Sequence, residues 1–308
     1  MNVSIRLLRY FIATAETGST AAAAKALNVS QPSISVAIRD LEGLFQQPLF
    51  SRDRSPGMTL THFGARKLVE ARQIVSAAKV FEADDGAEGE EGVAGEISIG
   101  VFTTIAARYL PIILRLAKER FPRLQINFIE GDLAKLESLL SSQQIELALT
   151  YDVGLPASID MECIAELEPY ALVHIGSELA RQPGPLSLHQ LAHEPFILID
   201  LPHSRDFLLS PFWQYNLSPT IRYRTTSIEV AKGMVANGLG VSLLITSTES
   251  PAIVEKPIKE KILRQRLVIA RAKQITQTRT SCLLAECMRD GAAEVLARQM
   301  TLQNAEAR

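Results

Sequence analysis

Two contrasts along the chain predict an α/β protein of more than one domain. The first is periodicity. Apolar residues near the N-terminus recur at three- and four-residue spacing, whereas from Glu96 onward short apolar runs alternate with amphipathic stretches, the pattern of strands followed by helices. The second is composition. Glu82 to Glu96 contains seven acidic residues, four glycines and no basic residue, so it has little to bury and repels itself. It reads as a hinge between a short N-terminal part and a long C-terminal one. At 308 residues, 47% of them hydrophobic, the chain suffices for two or three cores.

The opening helix is marked by Leu7, Leu8, Phe11, Ile12 and Ala15 and stopped by Gly18. Ser19 or Thr20 can cap a short alanine-rich helix, Ala21 to Leu27, whose small residues admit a close neighbour. Asn28 and Val29 make a turn, and Ser30 stands at the N-cap of a third helix with Pro32 in its first turn. Ile34, Ile38, Leu41 and Phe45 form that helix's inner stripe, leaving Gln31, Ser33, Ser35, Val36 and Arg39 largely off it. Two short helices around a tight turn fit a helix-turn-helix, in which the N-terminal residues of the second helix touch base edges in the major groove. The same pattern fits an ordinary helical hairpin with a solvated face. Pro48 to Arg52 and Met58 to Leu60 flank a turn-rich tip, a small hairpin that places Arg52 and Arg54 for phosphate or minor-groove contact. Thr61 caps a long helix to about Phe81, where Leu68, Ala71, Val75 and Ala78 repeat at roughly heptad spacing. That stripe suits either a second copy of the helix or the domain's own core.

Charge agrees with a nucleic-acid partner at this end only. The whole chain carries a net −2, but residues 1–66 hold seven basic against four acidic side chains.

In the long C-terminal part, Ile97 to Val101, Gln125 to Ile129, Glu146 to Thr150, Ala171 to Ile175, Phe196 to Ile199, Thr220 to Arg224 and Gly240 to Ile245 read as strands. Ile105 to Phe121, Leu133 to Leu140 and Ile228 to Asn237 read as helices, and the alternation predicts mostly parallel sheets. In such folds ligands bind beyond the carboxyl ends of strands, at helix N-termini. Four junctions qualify: Thr103-Thr104, the stretch around Tyr151, His203-Ser204-Arg205 and Thr226-Ser227. Hydroxyls and N–H groups suit a polar or anionic ligand and Arg205 can add charge, although Thr and Ser at helix starts serve equally as caps. His203 fits a surface group as well as a ligand contact. Gly238 and Gly240 fit a turn between helix and strand rather than a phosphate loop, which needs a third glycine.

Several classes are set aside. Cys163, Cys282 and Cys287 lack CxxC or zinc spacing, so no metal or cofactor is expected. There is no G-x-S-x-G, P-loop or H-E-x-x-H, so the chain is not expected to be an enzyme. The alternatives are an α/β enzyme, or a solute-binding protein, with a helical N-terminal module. Without a signal-peptide pattern or an apolar run of about 18 residues, a cytoplasmic protein that does not enter the membrane is expected.

A resemblance joins these readings. Leu8-Arg9-Tyr10-Phe11, Gly18-Ser19, Ala23-Ala24, Leu27, Val29 to Ser35, Ile38, Leu41-Glu42, Pro48-Leu49-Phe50, Arg52 and Leu60 to Gly64 resemble, in order and spacing, the DNA-binding end of LysR-type transcriptional regulators. Pro111, Phe121-Pro122 and Val235 to Val241 extend it into the C-terminal half. Thr20 stands where the family usually has Phe, and Val36-Ala37 replace a commonly polar pair. The resemblance implies three parts. Residues 1–60 form a winged helix-turn-helix, 61–95 a linker and dimerisation helix with its hinge, and 96–302 an effector domain resembling periplasmic binding proteins. Lobe 1 of that domain spans about 96–168 and 268–302, and lobe 2 about 169–267. It further implies a ligand-responsive regulator that binds double-stranded DNA as a homodimer or homotetramer. The DNA-facing residues would be Ser30, Gln31, Pro32, Ser33, Ser35, Val36, Arg39, Arg52 and Arg54. A small-molecule effector would be held by Thr103, Thr104, Tyr151, His203, Ser204, Arg205, Thr226 and Ser227.

Overall fold

The computed structural model describes residues 3–51, 57–82, 92–202, 204–245, 250–273 and 277–306. Helices α1 (Ile5–Thr17), α2 (Thr20–Ala26) and α3 (Gln31–Phe45) form a trihelical module. The caps follow from the sequence. Ser4, Ser19 and Ser30 each accept a hydrogen bond from a first-turn N–H, and Gly18 ends α1 in a left-handed conformation at φ 64°. Ala23 and Ala24 are buried, so α1 and α3 pack close to α2, and Leu8, Phe11, Ile34, Ile38 and Leu41 complete the core. Phe50 meets Phe11 edge to face at 5.7 Å, anchoring the hairpin, whose described remnant is the antiparallel bridge Phe50–Leu60. Glu42 ties α3 to the same strand by accepting from the N–H groups of Leu49 and Phe50.

Helix α4 (His62–Glu82) opens on Thr61, whose hydroxyl accepts from Gly64 N–H. Ala71 is buried, and Leu68 and Val75 pack on the module's core, so these three positions of the stripe are used within the domain.

The C-terminal part divides in two. Lobe 1 is a five-stranded sheet in the order β2 (Arg123–Gly131), β1 (Ala94–Phe102), β3 (Leu147–Tyr151), β10 (Gln265–Ala272), β4 (Ile159–Leu167). Helices α5 (Thr103–Arg120), α6 (Leu133–Ser141) and α11 (Arg279–Glu306) pack around it. Lobe 2 holds β8 (Ser242–Leu244), β5 (Tyr170–His174) and β9 (Ile253–Pro257) in one sheet and β6 (Phe196–Ile199) beside β7 (Ile221–Thr225) in another. A parallel bridge between Phe196 and Val241 joins these two sheets. Helices α7 (Glu178–Arg181), α8 (Leu188–His193), α9 (Ser204–Gln214) and α10 (Ile228–Ala236) cover them. Each lobe has its own apolar core.

The expectation of mostly parallel sheets is corrected. Among the described strands, β1–β2, β1–β3 and β6–β7 pair parallel, but β3–β10, β4–β10, β5–β8 and β5–β9 pair antiparallel. The reason is the return path. The chain leaves lobe 1 through β4 and re-enters through β10, which inserts between β3 and β4 in the opposite direction. Among the described residues no helix is long and apolar enough to cross a membrane.

Candidate functional site

The first site is the outer face of α3. Ser30, Gln31, Pro32, Ser33, Val36 and Arg39 are exposed together, Ser35 is half-buried, and Ile34, Ala37 and Ile38 point inward. The side chains differ in freedom. Ser30 accepts from Ser33 N–H and lies 2.8 Å, oxygen to oxygen, from the Ser33 hydroxyl, so this pair is partly spent on the cap. Gln31 donates its amide N–H to Thr20 Oγ1 at 3.3 Å. That bond uses one amide N–H and leaves the other N–H and the oxygen of this exposed side chain for a further partner. Val36 is 48% exposed at the middle of the face, and an exposed apolar group there can offer only contact, such as to a thymine methyl. Arg39 extends the face by one more turn. Arg52 and Arg54 lie outside the described residues.

The second site lies between the lobes. A cavity of about 30 Å³ is lined by Thr104 and Tyr151 from lobe 1, by Ser204, Phe207, Leu208, Ile199, Ile228, Leu244 and Ile245, and by Gln265 at the start of β10. Three residues named from the sequence therefore meet here: Thr104, Tyr151 and Ser204. The polar groups are placed by strand ends and helix starts. Tyr151 ends β3 and Thr104 is the second residue of α5, while Ser204 opens α9. Ser204 Oγ is buried with no hydrogen-bond partner among the described residues. Gln265, 2% exposed, donates to Asp152 Oδ1 at 3.0 Å. Burial drives the Tyr151 phenol far above its ordinary value, against the pull of a hydrogen bond from Thr104, so the phenol stays neutral.

The other named residues are not on this wall. Thr103, Arg205, Thr226 and Ser227 are exposed, and His203 lies outside the described residues. The charge expected from Arg205 goes elsewhere, since its guanidinium bonds Asp206 at 3.1 Å and Asp200 at 3.3 Å. Ser227 caps α10 by accepting from Val230 N–H, and Gly240 allows a close backbone approach, since a Cβ there would lie 2.1 Å from the Pro195 carbonyl oxygen. The contribution of Gln265 was not legible, because a lone Gln before an apolar run carries no signal that it will meet the end of β3 and Asp152, 113 residues away in sequence.

Comparisons with known proteins agree with both halves. Residues 5–65 match the family model described as bacterial regulatory helix-turn-helix protein, lysR family, and residues 90–293 match the LysR substrate binding domain. The uncharacterized HTH-type transcriptional regulator YnfL of Escherichia coli is 32% identical over 80% of this chain and 84% of its own. The crystal structure of PA01 protein, a putative LysR family regulator from Pseudomonas aeruginosa, is 33% identical with a TM-score of 0.63, over 94% of this chain and 99% of that one. Full-length CbnR complexed with its target DNA is 25% identical with a TM-score of 0.57, over 94% and 100%.

Proposed function

The chain belongs to the LysR family of DNA-binding transcriptional regulators with an effector-binding domain, and from that premise we propose which residues read DNA and which hold the effector. Gln31, Ser33, Ser35, Val36 and Arg39 enter the major groove, with Gln31 pairing an adenine edge and Val36 touching a thymine methyl. Ser30 and Pro32 set the start of the helix, and Arg52 and Arg54 of the wing meet the backbone or minor groove. The observation that carries this reading is the outer face of α3, which exposes its N-terminal polar residues together on a module with its own core. CbnR, seen with its target DNA, supports it. Two copies, or four, present two such helices to an interrupted inverted repeat.

The effector is small, polar and uncharged. The interlobe wall offers two hydroxyls, a neutral phenol and a carboxamide among apolar side chains and, among the described residues, no cation. About 30 Å³ holds little more than a water molecule, so the lobes part to admit the ligand, hinging where the chain crosses between β4 and β5 and before β10. A ligand that binds one lobe arrangement better than the other shifts the equilibrium between them. Protein of this family works in the cytoplasm, where both DNA and metabolites are present, and its task is regulation rather than turnover.

Selection of purified protein against random duplex DNA tests the reading. We expect enrichment of an interrupted inverted repeat, with Gln31→Ala relaxing the preference at one position per half-site by about 1–3 kcal/mol. Folded protein that enriches no sequence at low salt would sink it.

A further inference from the structure

Helix α8 (Leu188–His193) is six residues long, and a helix of that length frays unless it is held. Here it is held at its start and along its inner face. Ser187 and Gln190 form a reciprocal capping box, and Leu188 N–H donates to Glu260 Oε2 at 3.0 Å. Leu188, Leu191 and Ala192 are buried in the core of lobe 2. The outer face carries His189 and His193, four residues apart and both exposed.

The two imidazoles lie side by side, with ring centroids 4.6 Å apart and planes tilted by 40°. Two imidazoles that hold one ion through Nε2 at about 2.0–2.1 Å, with an angle of about 90–110° at the ion, have centroids about 4.5–5.3 Å apart. The observed separation falls within that interval. The tautomer of one ring is set as well. His193 Nδ1 lies 2.8 Å from the His189 carbonyl oxygen. A carbonyl only accepts, so Nδ1 carries the hydrogen and the neutral ring keeps its lone pair on Nε2. Metal-bound histidines are held in the same way, because a bond from the second nitrogen to a carbonyl fixes the ring and raises its basicity. No third histidine, cysteine or carboxylate joins the pair among the described residues, which leaves the other coordination positions to water.

We propose that the outer face of α8 is a chelating site for one divalent transition-metal ion, bound through Nε2 of His189 and Nε2 of His193. Imidazole selects the class: Zn²⁺, Ni²⁺ and Cu²⁺ take nitrogen ligands, whereas Mg²⁺ and Ca²⁺ demand oxygen. The site is separate from the interlobe cleft, to whose wall α8 contributes no residue. Its strength follows from ligand number. With half the ligands of a structural zinc site, a dissociation constant of about 1–200 μM is expected.

The test is calorimetric titration of the tag-free full chain with the chlorides of nickel, zinc and magnesium. Nickel and zinc should bind with that affinity, and magnesium should not bind. His189→Gln and His193→Gln should each weaken binding at least about tenfold, since either leaves a single imidazole. Both positions are exposed, so circular dichroism should be unchanged. Cys163→Ser with Cys282→Ser removes the exposed thiols, which also attract these ions, and should leave the histidine-dependent binding in place. Crystals soaked in nickel chloride should show an anomalous peak about 2.1 Å from both Nε2 atoms. Nickel and zinc dissociation constants above ~1 mM, undiminished binding in both histidine variants, or a peak touching one imidazole alone overturns the proposal.

Discussion

Gly64 and Gly43 show how differently one residue type is constrained in this molecule. A Cβ on Gly64 would lie 2.0 Å from the Leu49 carbonyl oxygen, because α4 begins in direct backbone contact with the hairpin strand. A Cβ on Gly43, inside α3, would meet nothing within 4 Å. Gly64→Ala should therefore destabilise the module by about 2–4 kcal/mol, while Gly43→Ala stabilises it by about 0.5–1 kcal/mol, both read from urea unfolding. Opposite signs are the expected result; equal effects would contradict the packing described. Two buried phenols make a second residue-scale prediction. Tyr109 is 2% exposed and burial pushes it up to about 12, and Tyr151 is raised further by the same cause. Raised phenol values favour the neutral form in the folded state. Their contribution is thus complete below pH ~10, where the unfolded phenol is also neutral, and falls as pH rises toward 12. Alkaline titration should show stability dropping by about 2–3 kcal/mol per such phenol, with Tyr109→Phe flattening the curve. At this scale the sequence was readable where a side chain acts through its neighbours in the chain. The caps Ser19, Ser30, Thr61 and Ser227 are local, and all four accept the bonds their positions imply. The Gln31–Thr20 bond spans eleven residues and was not readable.

Among the elements, α4 carries the most information beyond its own domain. Its inner face, Leu68, Ala71 and Val75, is consumed by the trihelical core, yet Ile74 is 49% exposed and Phe81 91% exposed. If α4 joins two copies, it does so through this outer face. Ile74→Glu combined with Phe81→Glu should raise the dimer dissociation constant at least about tenfold in analytical ultracentrifugation, with the circular dichroism of the monomer unchanged. An unaltered dimer would move the interface elsewhere. Periodicity alone could not choose between the two faces, since a heptad stripe fits a partner helix and an intramolecular neighbour alike. Strand recognition had the same character. Phe196–Ile199 forms the strand expected, as a continuous apolar run buried on both sides. Strand β4 went unrecognised because it lies at the sheet edge and mixes exposed charged residues with half-buried ones.

The whole molecule places its candidate effector site at a joint, the cavity between the two lobes. At the interlobe joint, removing the Ser204 hydroxyl or the Thr104 hydroxyl should raise the effector concentration for half-response by about tenfold, as Ser204→Ala and Thr104→Val in a DNA-binding assay with the selected operator. A response unchanged in both variants would place the effector elsewhere. The sequence by itself determined the kind of protein: the helix caps and apolar stripes of the N-terminal module, and the run of strands and helices in the C-terminal part, while the acidic stretch read as a hinge lies largely outside the described residues. All of these follow from forces acting within about ten residues. Only the tertiary structure decided which junctions converge. It brought Thr104, Tyr151 and Ser204 together with Gln265, turned Arg205 outward to Asp200 and Asp206, and inserted β10 antiparallel into lobe 1. Those outcomes depend on how separately folded layers pack and on which buried polar groups find partners, and neither quantity is written in the spacing of residues along the chain.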